Sequence, residues 1–312
     1  MPRRAAIVTL GLAGLVFGGL PYWAARKVLY PPVPEPLPHG LDEALTIEPD
    51  ISAEPVKFVG RDGNPISGWF VPGAPGVEQS PCILLVYGYG GYKEQMVGYA
   101  SLLRDAGFAS LMFDMQGSGL LSGRPVTLGY RERWDLMDAA AYARSRPDVD
   151  PTRIGALGVS MGAATALLAA ELDPGMRAIV ADSSYASLPD MVTPGLRAFV
   201  GRAAIWFAPL IVWFGETMVG FRSRDIAPER SAARMGHRHL LVIHGDQDDL
   251  THPDSAMRIF EAASGPKELW VVPECGHSAG PAVSPEEYKQ RVNDFFRRAL
   301  DWPAGALASQ VA

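Results

Sequence analysis

The chain has 312 residues, a net charge of −6 and two cysteines. This length suits one large α/β domain or two small ones, with a substantial buried core. The negative net charge leaves no basic footprint of the kind that nucleic-acid binding requires, so we expect no nucleic acid as a partner. Two cysteines do not make a disulfide framework.

An uncharged stretch lies at the start of the chain. It runs from Ala5 to Ala25, follows Arg3 and Arg4, and is long enough to cross the hydrocarbon core of a bilayer, which takes about 20 residues. Aromatic and then basic residues close it, as at a membrane interface. We predict that residues 1–27 are a single-pass transmembrane anchor, with a cleaved signal sequence as the alternative. The flanking positive charges nearly balance, and the α-amino group slightly favours a cytoplasmic N-terminus and therefore an exported domain.

Residues 28–54 are predicted to be a proline-rich spacer. Tyr30 to Pro38 reads YPPVPEPLP, in which five of the nine residues are proline. Such a segment is extended and semi-rigid, so it would hold the folded part of the chain away from the anchor. The remaining sequence, residues 55–302, is predicted to be the folded domain.

Apolar runs of strand length alternate with helical patterns through the folded domain. A hairpin signal at residues 61–64 joins two short β runs near its start. Two continuous apolar runs, Cys82 to Tyr87 and Phe108 to Phe113, are typical of strands buried on both faces. A capping-box pattern at residues 284–287 predicts the start of the last helix. This alternation predicts a mostly parallel sheet covered by helices.

The clearest chemical signal lies in residues 153–171. A strand-length run, Ile154 to Val159, leads into Gly158-Val159-Ser160-Met161-Gly162, and a helix of small residues follows. A strand, a tight turn and a helix around G-x-S-x-G are the context of a nucleophile elbow, and a glycine–serine turn without chemistry is the alternative. Such a turn strains the backbone at Ser160, and side chains at its flanking positions would collide with the neighbouring strand and helix. The first helical amide, that of Met161, would face a developing oxyanion.

A nucleophilic serine needs a base, and the base needs an acid that orients it. His277 follows the last predicted strand, in a loop at the carboxyl edge of the sheet, where sites in α/β folds form. The acid is expected in the loop after the preceding strand. Asp246, Asp248 and Asp249 are its candidates by spacing.

Over roughly residues 55–300 the sequence resembles the α/β-hydrolase superfamily. Four matches occur in the order of that family. They are the elbow Gly158 to Gly162, an oxyanion loop at Val86 to Gly91, a D-x-R-G-x-G turn at Asp114 to Gly119, and the acid and base loops His244-Gly245-x-x-Asp248 and Gly276-His277. Tyr87 stands where the family usually has histidine, and Gln116 where it usually has arginine.

The resemblance implies an α/β-hydrolase fold: a mostly parallel central sheet flanked by helices, with a helical cap inserted at about residues 184–237. The His-Gly-x-x-Asp match selects one of the three candidate acids. The implied catalytic residues are the triad Ser160, Asp248 and His277, with the backbone N–H groups of Tyr89 and Met161 as oxyanion donors.

The core of the predicted cap, Ala203 to Gly215, is too short to be a second membrane-spanning helix. The simpler interpretation is a helical cap packed on its own sheet. The alternative is that aromatic residues of the cap line an acyl pocket or touch lipid. These residues are Trp206, Phe207, Trp213 and Phe214.

Together these patterns predict a serine hydrolase that cleaves carboxylic esters, with an apolar acyl group, through an acyl-enzyme intermediate. A membrane-anchored serine peptidase or an acyl-thioesterase is the alternative, and a non-catalytic binding protein of the same fold is a third reading. The expected partners are a small-molecule or lipid-like acyl substrate and the membrane. The Asp/His loop at residues 244–252 could be read as a metal site, but the sequence offers no further ligand cluster, so we expect neither metal nor cofactor.

Overall fold

Eight strands form one sheet in the computed structural model, which describes residues 15–32 and 51–303. The strands are β1 (Glu54–Val59), β2 (Pro65–Val71), β3 (Ser80–Val86), β4 (Ala109–Phe113), β5 (Val149–Val159), β6 (Met176–Asp182), β7 (His239–Gly245) and β8 (Lys267–Val272). Their order across the sheet is β1-β2-β4-β3-β5-β6-β7-β8. The two pairings of β2 are antiparallel and the other five are parallel. The hairpin and the mostly parallel sheet agree with the sequence prediction.

Helices of the described residues flank this sheet or belong to the cap and the N-terminal segment. They are α1 (Leu20–Leu29), α2 (Val97–Arg104), α3 (Glu132–Ser145), α4 (Met161–Leu172), α5 (Leu188–Phe199), α6 (Ala208–Val219), α7 (Pro228–Arg234), α8 (Asp254–Ala262), α9 (Gly280–Val283) and α10 (Pro285–Ala299). Every residue of β3 and β4 is buried, as expected for strands covered on both faces. At the centre of the sheet, Leu84 of β3 lies beside Leu111 of β4 and Ala156 of β5.

The last helix begins one residue into the predicted capping box and ends at Ala299. The side chain of Ser284 makes no capping hydrogen bond, so the box itself is not formed. Ser284 also ends the short helix α9, where its N–H donates to Gly280 O (2.9 Å). The backbone of Ser284 is therefore fixed by two helices at once.

The cap lies between β6 and β7 and contains α5, α6 and α7. A 3₁₀ turn, Arg202–Phe207, runs directly into α6. The combined helical segment Arg202–Val219 has 18 residues, of which 11% are buried, and by length and composition it could cross a membrane. It is longer than the 13 uncharged residues that the sequence suggested, because the helix continues past Glu216 to Val219.

The described part of the predicted anchor packs on the cap. Residues 5–14 lie outside the described residues, and Leu15–Gly19 form a π-helical turn that leads into α1. Ala24 and Ala25 of α1 are buried against the cap helices α5 and α6. The C-terminal end of α1 and residues 30–32 therefore stay close to the folded domain, and residues 33–50 of the predicted spacer lie outside the described residues.

Candidate active site

Ser160 stands at the tight turn between β5 and α4, with φ 56° and ψ −118°. The residues two positions before and two positions after Ser160 must be glycines for steric reasons. A Cβ on Gly158 would lie 2.2 Å from Gly162 O, and a Cβ on Gly162 would lie 2.1 Å from Val86 O. Because no side chain fits at either position, the strand and the helix can close tightly on the turn, as in the nucleophile elbow that the sequence predicted.

The loops after β5, β7 and β8 bring three predicted side chains into contact. His277 Nε2 lies 2.8 Å from Ser160 Oγ, and His277 Nδ1 lies 2.7 Å from Asp248 Oδ2. In this arrangement the imidazole can accept the serine proton on one nitrogen while the carboxylate holds the proton on the other.

The carboxylate of Asp248 is buried, with 3% of the residue exposed. Burial by itself raises the pKa of the Asp248 carboxyl, but hydrogen bonds from His244, His277 and Thr251 outweigh it and hold that pKa well below its usual range. The N–H groups of Leu250 and Thr251 also donate to Asp248 Oδ1, at 3.0 and 2.9 Å. Asp248 is therefore ionised at neutral pH and fixed in orientation.

The two rival acids lie elsewhere. Asp249 is exposed to solvent. Asp246 is also exposed, and its Oδ1 accepts the N–H of Cys275 at 3.2 Å, which ties the acid loop to the loop before His277. Of the three candidates, Asp248 is the one placed against the imidazole.

Thr251 lies at the junction of the acid and the base, and the sequence analysis did not find it. Thr251 Oγ1 is 2.7 Å from Asp248 Oδ2, 3.1 Å from His277 Nδ1 and 3.1 Å from Ser183 O. Its hydroxyl group joins the acid loop to Ser183, which lies 68 residues earlier in the chain. No local pattern marks this residue, because its role depends on where the distant loops meet.

A second buried network supports the loop of His277. Tyr288 OH donates to Asp182 Oδ2 (2.8 Å), and Ser183 Oγ donates to Asp182 Oδ1 (2.9 Å). Ser183 Oγ in turn accepts the N–H of Ser278 (3.0 Å), the residue after His277. Burial raises the pKa of Asp182. Ser183 and Ser278 both have positive φ, 56° and 55°, so strained backbone adjoins the site, as is common in active sites.

The predicted oxyanion donors lie beside Ser160. Tyr89 and Met161 line the same cavity as Ser160, and Met161 is the first residue of α4, where helical amides have no intrahelical acceptor. A Cβ on Gly88, which precedes Tyr89, would lie 3.4 Å from the Cβ of Ser160. The backbone of the predicted oxyanion loop therefore passes directly over the serine.

The two departures from the family pattern have structural partners. Tyr87 OH accepts the N–H of Met115 (2.7 Å) and contacts Ser118 Oγ, which joins the oxyanion loop to the turn after β4. Gln116 Nε2 donates to Pro125 O at 2.7 Å. Neither side chain reaches Ser160, so these departures leave the arrangement around the serine unchanged.

An apolar cavity of about 140 Å³ adjoins Ser160 under the cap. The helices α5, α6 and α1 supply most of its wall. The cavity-lining residues of these three helices include Met191, Leu196, Phe199, Ile211, Val219 and Leu29.

The predicted pocket residues of the cap do not line this cavity. Trp206 and Trp213 are 87% and 53% exposed. Phe207 and Phe214 pack between the cap and α1. On α6 the cavity-facing positions include Ile211 and recur every four residues, which places Trp213 on another face of the helix. Aromatic content alone did not indicate which face of the helix turns inward.

The predicted Asp/His loop does not assemble as a metal site. His244 is buried and its Nε2 contacts Thr251 O (2.6 Å), whereas His252 is turned outward, with its Nδ1 accepting the N–H of Asp254 (3.2 Å). Within residues 15–32 and 51–303, no group of three or more His, Cys, Asp or Glu side chains is placed to hold a metal ion.

Known proteins share both the sequence pattern and the fold. The sequence model of the prolyl oligopeptidase family matches residues 95–302. The uncharacterized protein Rv2307c of Mycobacterium tuberculosis is 30% identical over 305 residues, which cover 96% of either chain. The uncharacterized protein YfhR of Escherichia coli is 26% identical over 258 residues, or 80% of this chain and 82% of YfhR.

A solved structure of the esterase Pf2001 from Pyrococcus furiosus superposes with a TM-score of 0.71 at 24% identity, over 88% of this chain and 99% of the esterase. This likeness shows the fold. The predicted α/β-hydrolase fold is confirmed.

Asparagine at position 248 tests the assignment of the acid. Asp248→Asn should lower kcat by about 10⁴-fold, because asparagine keeps the shape but favours the wrong tautomer of His277, as it does in serine proteases. Asp249→Asn is the matched control and should lower kcat by tenfold at most, since that side chain is exposed. The measurement is kcat of both variants on one p-nitrophenyl ester. A larger loss for Asp249→Asn would reverse the assignment.

Proposed function

The chain belongs to the prolyl oligopeptidase family and is a serine hydrolase of the α/β fold, and from that premise we propose that it cleaves carboxylic esters with an apolar acyl group. One observation carries the proposal: Ser160 Oγ is in hydrogen-bond contact with His277 and also borders an apolar cavity under the cap. The serine supplies the nucleophile and the cavity supplies a place for an acyl chain.

The reaction uses two steps of acyl transfer. Ser160 Oγ attacks the ester carbonyl carbon while His277 Nε2 takes the hydroxyl proton. The oxyanion is held by the backbone N–H groups of Met161 and Tyr89. The intermediate then collapses, and the alcohol leaves with the proton from His277. A water molecule next attacks the acyl-enzyme and gives a proton to His277, and His277 then returns that proton to Ser160 Oγ as the acid leaves.

Asp248 supports both steps through His277. Its carboxylate accepts the Nδ1–H of the imidazole, which presents Nε2 to Ser160 in the correct tautomer. It also stabilises the imidazolium that forms during each proton transfer. The low pKa of Asp248 keeps the carboxylate charged throughout the reaction.

The cavity favours an acyl chain of medium length. An apolar cavity of about 150 Å³ accommodates a benzene ring, so a cavity of about 140 Å³ suits a chain of roughly six carbons. Glu216 supplies a charge to the wall, but its carboxylate accepts hydrogen bonds from Arg222 Nη1, from Ser223 N–H and from Ser223 Oγ, each at 2.9 Å. It is therefore engaged within the cap and is a poor anchor for the amino group of a peptide.

The alternatives within the family use the same chemistry. A peptide or thioester carbonyl would react at Ser160 by the same steps. What supports an ester with an apolar acyl group is the apolar wall of the cavity. A purely binding role is disfavoured by the alignment of Ser160, His277 and Asp248, which an inactive relative would have no need to retain.

A substrate panel tests the proposal. We expect p-nitrophenyl esters to show a maximum of kcat/KM at a medium chain length and to react at least a hundredfold faster than a prolyl peptide anilide. Ser160→Ala should lower kcat by about 10⁶-fold, the order seen when a catalytic serine is removed. Its thermal unfolding, measured beside wild type, should be unchanged, which is the control for folding. Faster cleavage of the peptide anilide than of every ester, or full activity of the alanine variant, would refute it.

We also propose that the N-terminal segment holds the enzyme at a membrane, with the catalytic domain exported. The apolar stretch that begins at Ala5 leads into α1, next to an exposed aromatic surface. That surface consists of Phe17, Tyr22, Trp23, Trp206 and Trp213. Tryptophan and tyrosine favour the membrane–water interface. Such a location would place the cap and its cavity where lipid-like acyl substrates are concentrated.

Fractionation of the full chain tests the membrane proposal. The protein should stay in the membrane fraction after washes with high salt and alkaline carbonate, and detergent should release it. The double variant Trp206→Ser, Trp213→Ser is the matched comparison, and it should also stay, because the apolar stretch that begins at Ala5, and not the cap, carries the anchoring. Recovery of the chain in the soluble fraction, with residues 1–27 still present by mass, would rule out the anchor.

A further inference from the structure

We propose that α1 is a wall of the acyl cavity and sets the length of the acyl chain that the enzyme accepts. This inference rests on the proposed ester hydrolysis and adds a specificity element from outside the hydrolase domain. Ala25, Val28 and Leu29 of α1 line the cavity together with Ser160. Ala25 is 2% exposed, so it is part of a packed wall and not of a loose edge.

The cap holds α1 from one side. Ala24 and Ala25 are buried in a cluster with Leu196 of α5 and Ile211 of α6. The helices α1 and α6 make extensive contact. Because alanine is small, the backbone of α1 approaches the cap closely, and the larger residues of α5 and α6 close the space between them.

Aromatic contacts extend this packing toward the N-terminus. The rings of Tyr22 and Phe214 meet edge to face, with centroids 5.8 Å apart. The rings of Phe17 and Phe207 do the same at 6.1 Å. Phe207 and Phe214, which the sequence analysis assigned to the pocket, therefore do not line it. They pack against the N-terminal segment whose helix α1 lines the cavity.

The hydrolase domain fixes the other end of α1. The last carbonyl groups of a helix have no intrahelical donor and need partners from elsewhere. Val28 O accepts the hydroxyl of Tyr89 (2.8 Å), and Leu29 O accepts the N–H of Val126 (2.7 Å). Both bonds anchor the C-terminal end of α1 to the hydrolase domain.

The hydrogen bond between Tyr89 and Val28 O links α1 to the predicted oxyanion loop. Tyr89 is the residue whose backbone N–H is the proposed oxyanion donor, and its ring packs against Phe199 of the cap at a centroid distance of 4.7 Å. The helix therefore touches both the binding wall and the oxyanion loop. In this arrangement Ala25 limits the cavity on the side of α1, and a larger side chain there would occupy space that an acyl chain uses.

Bulk at position 25 tests the proposal on the full chain in detergent micelles. A group of the size of benzene fills a cavity of about 150 Å³. Ala25→Phe should therefore lower the ratio of kcat/KM for p-nitrophenyl hexanoate to that for the acetate ester by tenfold or more. Lys27→Phe adds the same ring to the exposed face of the same helix, and its ratio should stay within twofold of wild type.

A second variant keeps the test decisive if the phenylalanine at position 25 disturbs folding. Leu29→Ala enlarges the cavity and should shift the preferred ester to a longer chain. An unchanged chain-length profile in Leu29→Ala, or in a folded Ala25→Phe variant, with ester hydrolysis intact, would overturn the role of α1. Failure of the wild-type enzyme to hydrolyse any ester is a different result, and it would overturn the proposed function and the role of α1 with it.

Discussion

The imidazole of His277 has to meet Ser160 and Asp248 at the same time, at 2.8 and 2.7 Å. The three residues lie in loops that follow three different strands, and a parallel sheet carries the ends of those strands to one edge. The elbow strains the backbone at Ser160, and the packing of the strands and α4 maintains this strained conformation. The sheet therefore fixes the positions of these three loops relative to one another.

Hydrogen bonds to buried polar groups fix the orientation of the catalytic side chains and their loops. Asp248 is fixed by Thr251 and by backbone amides, and the loop of His277 is fixed by Ser183 and Asp182. A buried carboxylate without partners would be costly, and here each oxygen of Asp182 has a donor. Such networks keep the site in its reactive geometry before substrate arrives, which lowers the reorganisation that the reaction requires.

The sequence predicted the parts of this account that depend on local rules. Apolar runs of strand length follow a local rule, and the glycines around Ser160 and the order of the acid and base loops match a pattern shared with a family. No local pattern marks Thr251 or Asp182, because their importance depends on loops that meet only in the folded chain. The aromatic residues of the cap were assigned to the pocket on composition, and the helical period turned them to other faces. The contact of α1 with the cap joins segments nearly 200 residues apart, which no local pattern indicates.

Ser160 is the proposed nucleophile of a reaction that uses the adjoining apolar cavity. An octyl fluorophosphonate reacts irreversibly with an activated serine and places its alkyl chain where an acyl chain would lie. After partial reaction of the full-length protein, mass spectrometry can locate the phosphonyl group while ester turnover is measured in the same sample. We predict at most one phosphonyl group per chain, on the peptide that contains Ser160, with activity lost in proportion to the fraction of chains modified. Modification of another residue, or full turnover after Ser160 is modified, would contradict the account.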